Sequence, residues 1–191
     1  MRQALNELAL EGCIFRRQGL GTFVAAPKIE QNLTNFYSFS EEFRKSELTP
    51  HSKILEFLTA AADPAIAKRL NLVEGVSRVL YIKRLRYANE IAVALEETYM
   101  PESLFKGITL DMLESSSLYS IMRDNFGINP KRADESFGAV NLNKDLAIHL
   151  GMKKGMAALD LERLTFDGET CIEFTKGIVR ADIMRFKIQL N

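Results

Sequence analysis

The sequence predicts an α+β fold in which short helices cover an antiparallel sheet. Two stretches, residues 77–101 and 158–180, have the composition and the central turn residues of β-hairpins. Each is preceded by a short helical stretch and a glycine, so the same order of elements occurs twice. The 191 residues, of which 47% are hydrophobic and 26% charged, are enough for one or two ordinary globular domains.

The first 25 residues predict a small separate unit. Residues 1–10 carry apolar side chains at near-helical spacing, and Gly12 can end that helix in the left-handed conformation. Residues 13–15 and 22–24 read as two short strands around the turn RRQGLG. A unit of this size cannot bury its own core, so it either leans on the rest of the chain or belongs to a larger domain.

A polar stretch at residues 27–35 predicts a linker, and helix start signals follow it. Ser38 stands three residues before Glu41, the spacing of a capping box, so a helix is expected to begin near residues 38–40. Asp63 and Pro64 predict the start of a second helix, with Gly75 after its end.

Two more helices and two tight turns complete the pattern. A serine-capped helix within residues 115–127 is expected to end at Gly127, and another is capped by Asn143. The first hairpin is expected to turn at residues 88–90, and Asp167-Gly168 predicts the turn of the second.

The two halves of this region align with each other. The matched pairs are Leu70 with Leu150, Leu72 with Met152, Gly75 with Gly155 and, after a slip of one residue, Arg84 with Arg163. Duplication and independent convergence on the same helix–hairpin order explain the match equally well.

The stretch RQALNELALEGCIFRRQGLGTFVA closely resembles the second half of the winged helix-turn-helix in GntR-type bacterial transcription regulators. In that family a recognition helix ending in Leu-x-x-x-Gly leads into a wing strand, basic residues and Gly-x-Gly-Thr-Phe-Val. The matching residues are Leu8, Gly12, Ile14, Arg16, Arg17, Gly19, Gly21, Thr22, Phe23 and Val24. The resemblance implies operator DNA as a partner, with a wing whose glycines allow close approach to the phosphates.

The residues expected to contact DNA are Arg2, Arg16, Arg17, Gly19, Gly21 and Thr22. The arginines would supply the phosphate contacts that dominate affinity, and a local patch is required because Lys+Arg and Asp+Glu are both 25. The family has two more helices before Arg2. Residues 1–26 are therefore expected to be a truncated winged helix that does not bind an operator by itself.

Residues 33–190 resemble the HutC-like subfamily of these regulators, which carries a UTRA effector-binding domain. The resemblance rests on FYSFSEEFRKSELTP, RLRYANEIAVALEETYMP, SLYSIM, RADESFGAV and ERLTFDGETCIEFTKGIVRAD, in the family's order and spacing. It implies a chorismate-lyase-like fold at residues 36–191, an antiparallel sheet with helices, that forms a homodimer. It also implies a small effector that alters operator binding, most often in a repressor.

The first hairpin places two arginines on one face of the sheet. If it turns about Asn89, Arg84 lies opposite Ala94 and Arg86 opposite Ala92, with Glu96 on the same face. The alanines leave room and the arginines offer bidentate donors. From spacing alone, an anion pocket and a solvated face with an Arg–Glu pair are equally good interpretations.

The resemblance favours the pocket, because UTRA regulators of amino-sugar catabolism hold a sugar phosphate at such positions. The implied phosphate contacts are Arg84, Arg86, Ser117, Tyr119 and the backbone amides of Ser38, Phe39 and Ser40; the implied sugar contacts are Glu96 and Glu173. Free amides at a helix start favour anions. The chain departs from the amino-sugar pattern at Ile178-Val179, where an aromatic residue is usual. A non-phosphorylated acid or an imidazole-type effector therefore stays an alternative.

Several classes of function are not expected. The fold's likeness to a lyase makes an enzyme conceivable, but His51 and His149 have no acid–nucleophile context, so no catalytic residue is assigned. Cys13 and Cys171 lack metal-ligand spacing, and no nucleotide loop appears, so no metal and no cofactor are predicted. No apolar run reaches the roughly 18 residues of a membrane span, and the start lacks a signal-peptide core, so a cytoplasmic address without a membrane partner is expected.

Overall fold

The largest element is a six-stranded antiparallel sheet. The computed structural model describes residues 2–10, 14–17, 19, 21–24, 28–33, 36–75 and 77–189. The sheet strands are β4 (Pro50–Ala61), β5 (Arg78–Ala88), β6 (Ile91–Pro101), β7 (Arg132–Asn141), β8 (Ala157–Asp167) and β9 (Thr170–Arg180), in the order β4-β5-β6-β9-β8-β7. The predicted α+β class, an antiparallel sheet with helices, is confirmed.

Short helices and two small two-stranded sheets complete the described structure. The helices are α1 (Arg2–Leu10), α2 (Phe39–Lys45), α3 (Pro64–Arg69), α4 (Leu110–Ser115), α5 (Leu118–Phe126) and α6 (Lys144–His149), with a 3-10 turn at Glu102–Leu104. The small strands are β1 (Ile14–Arg17), β2 (Gly21–Val24), β3 (Ile29–Asn32) and β10 (Met184–Lys187). Strands β1 and β2 form an antiparallel hairpin, whereas β3 and β10 are parallel. Among the described residues, no helix is both long and apolar enough to span a membrane.

The sheet is built from two copies of one β-α-β-β unit. The first is β4-α3-β5-β6 and the second is β7-α6-β8-β9, and the copies meet where β6 pairs with β9. Leu70 and Leu150 are both buried just after the helix, and Gly75 and Gly155 both have positive φ, at 79° and 85°. Each copy begins with a strand that the sequence analysis missed. Both β4 and β7 are edge strands with few buried side chains, so they lack the apolar alternation of inner strands.

Side-chain caps fix the predicted helix starts. The Asp63, Ser117 and Asn143 side chains accept hydrogen bonds from the backbone N–H groups of Ala65, Ser120 and Leu146, at 2.8, 3.2 and 2.9 Å. Gly127 ends α5 in the left-handed conformation with φ 66°. Helix α3 ends at Arg69, well before Gly75, which lies in the turn that leads to β5.

The predicted capping box at Ser38 does not form. Ser38 does precede α2, but its side chain makes no capping hydrogen bond, and Glu41 pairs with Arg123 at 3.6 Å instead. The helix therefore begins where predicted, at Phe39, by a different arrangement.

The predicted register of the first hairpin is wrong by two residues. Arg84 lies opposite Glu96, and Arg86 lies opposite Ala94. One residue of the shift comes from the turn, which is a two-residue turn with Asn89 at φ 51°; the other comes from a bulge after Arg86.

A shift of two residues keeps every side chain on its predicted face, because side chains alternate with a period of two along a strand. The error therefore changes which residue faces Arg84 and leaves the shared face of Arg84, Arg86 and Glu96 intact.

Each face of the sheet has its own helices. On one face, α4 and α5 pack over Leu80, Ile82 and Met100, and α2 packs with β10 over Ala94, Leu161 and Val179. On the other face, α3 and α6 cover separate apolar clusters that contain Val79 and Phe174, and Leu85 and Leu95. The first face has a polar zone between its two apolar clusters, and the candidate site lies there.

The predicted linker at residues 27–35 contains β3, which pairs with β10 near the end of the chain. The Lys28 ammonium also donates to the backbone oxygen of Ala181 at 2.8 Å. The predicted domain boundaries at residues 26 and 35 lie outside the described residues and stay a prediction.

Candidate functional site

A small cavity lies where the first turns of α2 and α5 meet the sheet. Its volume is about 30 Å³. It is lined by Ser38, Phe39, Ser40, Arg84, Arg86, Glu96, Ser117, Leu118, Tyr119, Leu161, Arg163, Glu173 and Thr175. The structure thus brings all nine predicted effector-binding residues to one place, although five elements, α2, β5, β6, α5 and β9, supply them.

Two buried arginines hold one buried carboxylate at the floor of this cavity. Arg84 Nε donates to Glu96 Oε2 at 2.9 Å, and Arg86 Nη1 donates to the same oxygen at 3.2 Å. Strands β5 and β6 fix this geometry because Arg84 and Glu96 are directly opposite in the ladder. Gly177 is opposite Glu96 on the other side of the ladder, and a Cβ there would lie 3.8 Å from the Glu96 Cγ.

The pKa values in this cluster reflect burial and charge together. Burial alone would raise the pKa of Glu96, but the charges and hydrogen bonds of Arg86 and Arg84 hold it below its usual value. Burial lowers the pKa of Arg86, and the nearby Arg84 charge adds to that effect against the attraction of Glu96. The cluster is therefore one carboxylate shared by two cations.

The first turn of α2, with Ser38 just before it, forms one wall of the cavity. Arg86 Nη2 donates to the Ser40 hydroxyl at 2.9 Å, and the guanidinium lies 5.6 Å from the centre of the Phe39 ring. Ser38, Phe39 and Ser40 are all buried. These contacts bind the wall to the same arginine that holds Glu96.

A second carboxylate lies across the cavity with hydroxyl partners. Glu173 is buried, and it accepts hydrogen bonds from the Tyr119 and Thr175 hydroxyls at 2.8 and 2.9 Å. Burial raises the pKa of Tyr119, so its phenol stays protonated and donates. Ser117 caps α5 and bonds to the Ser120 hydroxyl at 2.7 Å, which places it at the rim beside Tyr119.

One lining residue, Arg163, was missed as a site residue. Its Nη1 lies 3.2 Å from Glu135 Oε1, and its Nη2 donates to the backbone oxygen of Tyr37 at 2.7 Å. Burial alone would lower the pKa of Arg163, but nearby Tyr119, Tyr37 and Glu135 hold it above its usual value. The sequence did carry a signal, because Arg163 is the repeat partner of Arg84.

A family model described as the UTRA domain matches residues 45–185, which is most of the chain. The chain belongs to the UTRA family of GntR-type transcription regulators. The HTH-type transcriptional repressor NagR of Bacillus subtilis is 32% identical over 187 residues, which cover 97% of this chain and 76% of that protein. The mannosyl-D-glycerate transport/metabolism system repressor MngR of Escherichia coli is 32% identical over 121 residues, 63% of this chain and 50% of that protein.

Solved structures agree with this UTRA assignment. The crystal structure of PhnF from Mycobacterium smegmatis superposes with a TM-score of 0.80 and 29% identity, covering 100% of this chain and 83% of that one. These relatives are transcription regulators and not enzymes, so the UTRA domain has the ligand-responsive role of a regulator and the lyase alternative is wrong.

The residues predicted to contact DNA are described in part. The backbone places Arg2 on α1, Arg16 and Arg17 on β1, and Thr22 on β2, but the side chains of the three arginines lie outside the described residues. Gly19 and Gly21 have φ of 78° and 113°, and within the described residues no atom lies within 4 Å of where their Cβ would be, as an open wing turn requires. Gly12 and Cys13 lie outside the described part. The DNA contacts stay a prediction.

The departure from the amino-sugar pattern lies beside the cavity of this UTRA domain. Val179 is fully buried and packs with Leu161 and Ala94, next to the arginines. Arg180 binds Asp182 through two hydrogen bonds and reaches the backbone oxygens of Ala92 and Leu150, so this pair connects β9 to its neighbours.

Proposed function

We propose that this protein is a ligand-responsive transcription repressor whose UTRA domain binds a phosphorylated sugar. The phosphate lies on Arg84 and Arg86, and the sugar contacts Glu96 and Glu173. The observation that carries the proposal is the pair of buried guanidiniums that share one carboxylate in a cavity. Two cations on one anion leave a positive charge unbalanced within the cluster.

The chemistry of the cavity fits a multivalent oxyanion. Three arginines line it, and two of them, Arg84 and Arg86, share the single carboxylate of Glu96. Guanidinium groups present paired donors that match the oxygens of phosphate, and burial strengthens the attraction. The hydroxyl-bearing residues Ser40, Ser117 and Tyr119 also line the cavity and add neutral polar groups.

A bound sugar phosphate requires the cavity to open. About 30 Å³ holds one or two water molecules, whereas ligand pockets usually have roughly 300–1,000 Å³. Two changes create room: the Glu96 carboxylate leaves the arginines for a sugar hydroxyl, and the wall at residues 36–40 moves outward. In both changes, hydrogen bonds of Arg84 and Arg86 to Glu96 and Ser40 are replaced by hydrogen bonds to the ligand.

The relatives support a carbohydrate-related effector and a repressor. MngR is named for a mannosyl-D-glycerate transport/metabolism system, and both MngR and NagR are named repressors. In our proposal the effector shifts a homodimer between arrangements that differ in affinity for operator DNA. It can do so only if it binds one arrangement more tightly than the other.

Isothermal calorimetry tests the effector assignment. We expect glucosamine 6-phosphate, N-acetylglucosamine 6-phosphate or another sugar phosphate to bind, with the matching sugar alone much weaker. Arg84→Lys and Arg86→Lys should each weaken binding roughly 10- to 100-fold, because each removes a bidentate donor that lysine cannot replace. Lys83→Gln is the control. It removes a charge next to Arg84 on the opposite face, where Lys83 pairs with Glu97 at 3.3 Å.

Two results would contradict the proposal. One is binding of a non-phosphorylated acid or an imidazole-type compound when no phosphorylated sugar binds. The other is full affinity in Arg84→Lys and Arg86→Lys together with a loss in Lys83→Gln, because that pattern would assign binding to overall charge and not to the paired guanidinium donors.

A further inference from the structure

We propose that Arg163 is a further effector-binding residue, whose Nε–H donates to an oxygen of the effector at the end opposite the phosphate. The inference rests on the proposed function and deepens it. It specifies what the sugar end must offer: a hydrogen-bond acceptor in reach of a fixed guanidinium.

One of the three side-chain nitrogens of Arg163, Nε, has no hydrogen-bond partner in the described structure. The side chain is 5% exposed, and its two terminal nitrogens are engaged by Glu135 and by the backbone oxygen of Tyr37. Its Nε is fully buried and has no partner within the part of the chain that the structure describes. Buried polar groups almost always have a partner, so an unpaired donor on a residue that lines the cavity is a candidate position for a ligand atom once the cavity opens.

Arg163 is held rigidly, as a specificity-determining contact should be. Its guanidinium carbon lies 4.4 Å from the centre of the Tyr37 ring and 5.0 Å from that of Phe36, with Tyr119 at 5.7 Å. These rings and the Glu135 carboxylate fix the plane of the guanidinium before any ligand arrives. A donor that is already oriented loses little entropy on binding.

The place of Arg163 in the sheet sets the geometry of the ligand. Arg84 is on β5 and Arg163 is on β8, and β6 and β9 lie between them. Three strand spacings separate the two backbones by roughly 14 Å. The two arginines therefore approach the cavity from opposite sides, and a ligand with its phosphate on Arg84 and Arg86 presents its other end to Arg163.

The chemistry of that end follows from the donors and acceptors around Arg163. Arginine can only donate, so the ligand atom must be an acceptor such as a hydroxyl, ring or carbonyl oxygen. Glu173 lines the same side of the cavity and can accept a hydrogen from an adjacent hydroxyl or amine. Inorganic phosphate can occupy the Arg84–Arg86 pair without reaching Arg163, and this difference separates the two ends experimentally.

The test compares ligands that share a phosphate and differ in length. Binding of inorganic phosphate, glycerol 3-phosphate and the tightest sugar phosphate is measured by calorimetry, with displacement for the weak ligands, on the unsubstituted protein and on Arg163→Lys. We expect Arg163→Lys to weaken the sugar phosphate roughly 10- to 100-fold and inorganic phosphate less than about twofold. Arg132→Lys is the control. It alters a half-exposed arginine on β7 that pairs with Asp134.

A structural role for Arg163 gives a different pattern. If the substitution only loosens the wall at Tyr37, all ligands lose affinity in parallel, and that result overturns the proposal. Unchanged affinity for the sugar phosphate also overturns it and leaves the phosphate assignment standing. If the unsubstituted protein binds no phosphorylated sugar, the proposed function is wrong, and this inference is wrong with it.

A second measurement uses only the unsubstituted protein, so it tests the proposal even if Arg163→Lys does not fold. Deoxy analogues of the sugar phosphate, each lacking one oxygen distant from the phosphate, are titrated into the unsubstituted protein. We expect one of them to bind roughly tenfold or more weakly, because it leaves the Nε–H of Arg163 unpaired. Equal affinity for all the analogues contradicts the proposal.

Discussion

Replacing Glu96 by glutamine should strongly destabilise the protein. Glu96→Gln keeps the size of the side chain and removes the only negative charge that contacts Arg84 and Arg86 in the described structure. The two guanidiniums would then face each other in a buried site with one amide oxygen between them. Their mutual repulsion and their desolvation would be uncompensated.

The structure allows the size of this effect to be estimated against a neighbouring pair. Breaking a buried ion pair by removing one partner costs about 3–5 kcal/mol, whereas an exposed pair is worth about 0–1 kcal/mol. Glu96 is 4% exposed, and Glu97, the next residue, is 35% exposed and pairs with Lys83 on the opposite face. The same substitution at adjacent positions should therefore differ by at least about 2 kcal/mol.

Urea denaturation at pH 7 and fixed protein concentration measures the difference. For a urea dependence near 2 kcal/mol per molar, a loss of 4 kcal/mol moves the midpoint down by about 2 M. Glu97→Gln should move it by less than about 0.5 M. The concentration is fixed because assembly of the protein would itself add to the measured stability.

Equal losses of unfolding free energy in Glu96→Gln and Glu97→Gln would refute the reasoning. A further variant separates charge from packing: Arg84→Met, Arg86→Met and Glu96→Leu combined remove every charge of the cluster. Its stability should return to within about 1 kcal/mol of the original or exceed it, because apolar replacement of buried ion clusters is often neutral or stabilising. A triple variant less stable than Glu96→Gln would show that packing dominates.

Three further results are expected. Because the folded-state pKa of Glu96 is lowered, the stability it contributes is complete above the usual pKa of 4.5 and is lost as pH falls through the lower folded-state pKa. Below pH 4.5 the unfolding free energy should therefore fall less steeply with decreasing pH in Glu96→Gln than in the unsubstituted protein. Gly177→Ala should raise the unfolding free energy by about 0.4–1 kcal/mol, since the added Cβ would meet Leu161 and Glu96 at ordinary distances of 3.6–3.8 Å, and thermal unfolding measures it. Affinity for the sugar phosphate should rise between pH 5.5 and 7.5, because the phosphate loses its second proton near pH 6 and the arginines favour the dianion; a flat calorimetric profile would contradict this.

The sequence predicted the inner parts of the fold and missed its edges. Strands β5, β6, β8 and β9 were found because turn residues such as Asp167-Gly168 and dense apolar composition mark them. Strands β4 and β7 escaped because their exposed faces carry polar residues, and β3 because a four-residue strand in polar sequence gives no periodic signal. Tertiary pairing decides these elements, and single-sequence patterns do not contain it.

The sequence predicted which residues line the candidate site better than it predicted how they are arranged. Resemblance supplied nine lining residues, but the direct pairing of Arg84 with Glu96 depended on a bulge that no residue pattern indicated. Arg163 was visible only through its match with Arg84 in the internal repeat. Its importance appears when β8 brings it to the cavity with its Nε unpaired within the described residues.

The position of the charged cluster is itself an argument for function. On this face of the sheet, Ile82 and Leu161 belong to two tightly packed apolar clusters, and the arginines, Glu96 and Glu173 interrupt the apolar surface between them. Continuing the apolar surface would fill the cavity and avoid desolvating five ionisable groups. The interruption occurs where α2 and α5 both begin, so the first backbone N–H groups of two helices adjoin the charges. Buried charged groups at such a place are typical of a functional site, which supports the proposed effector site.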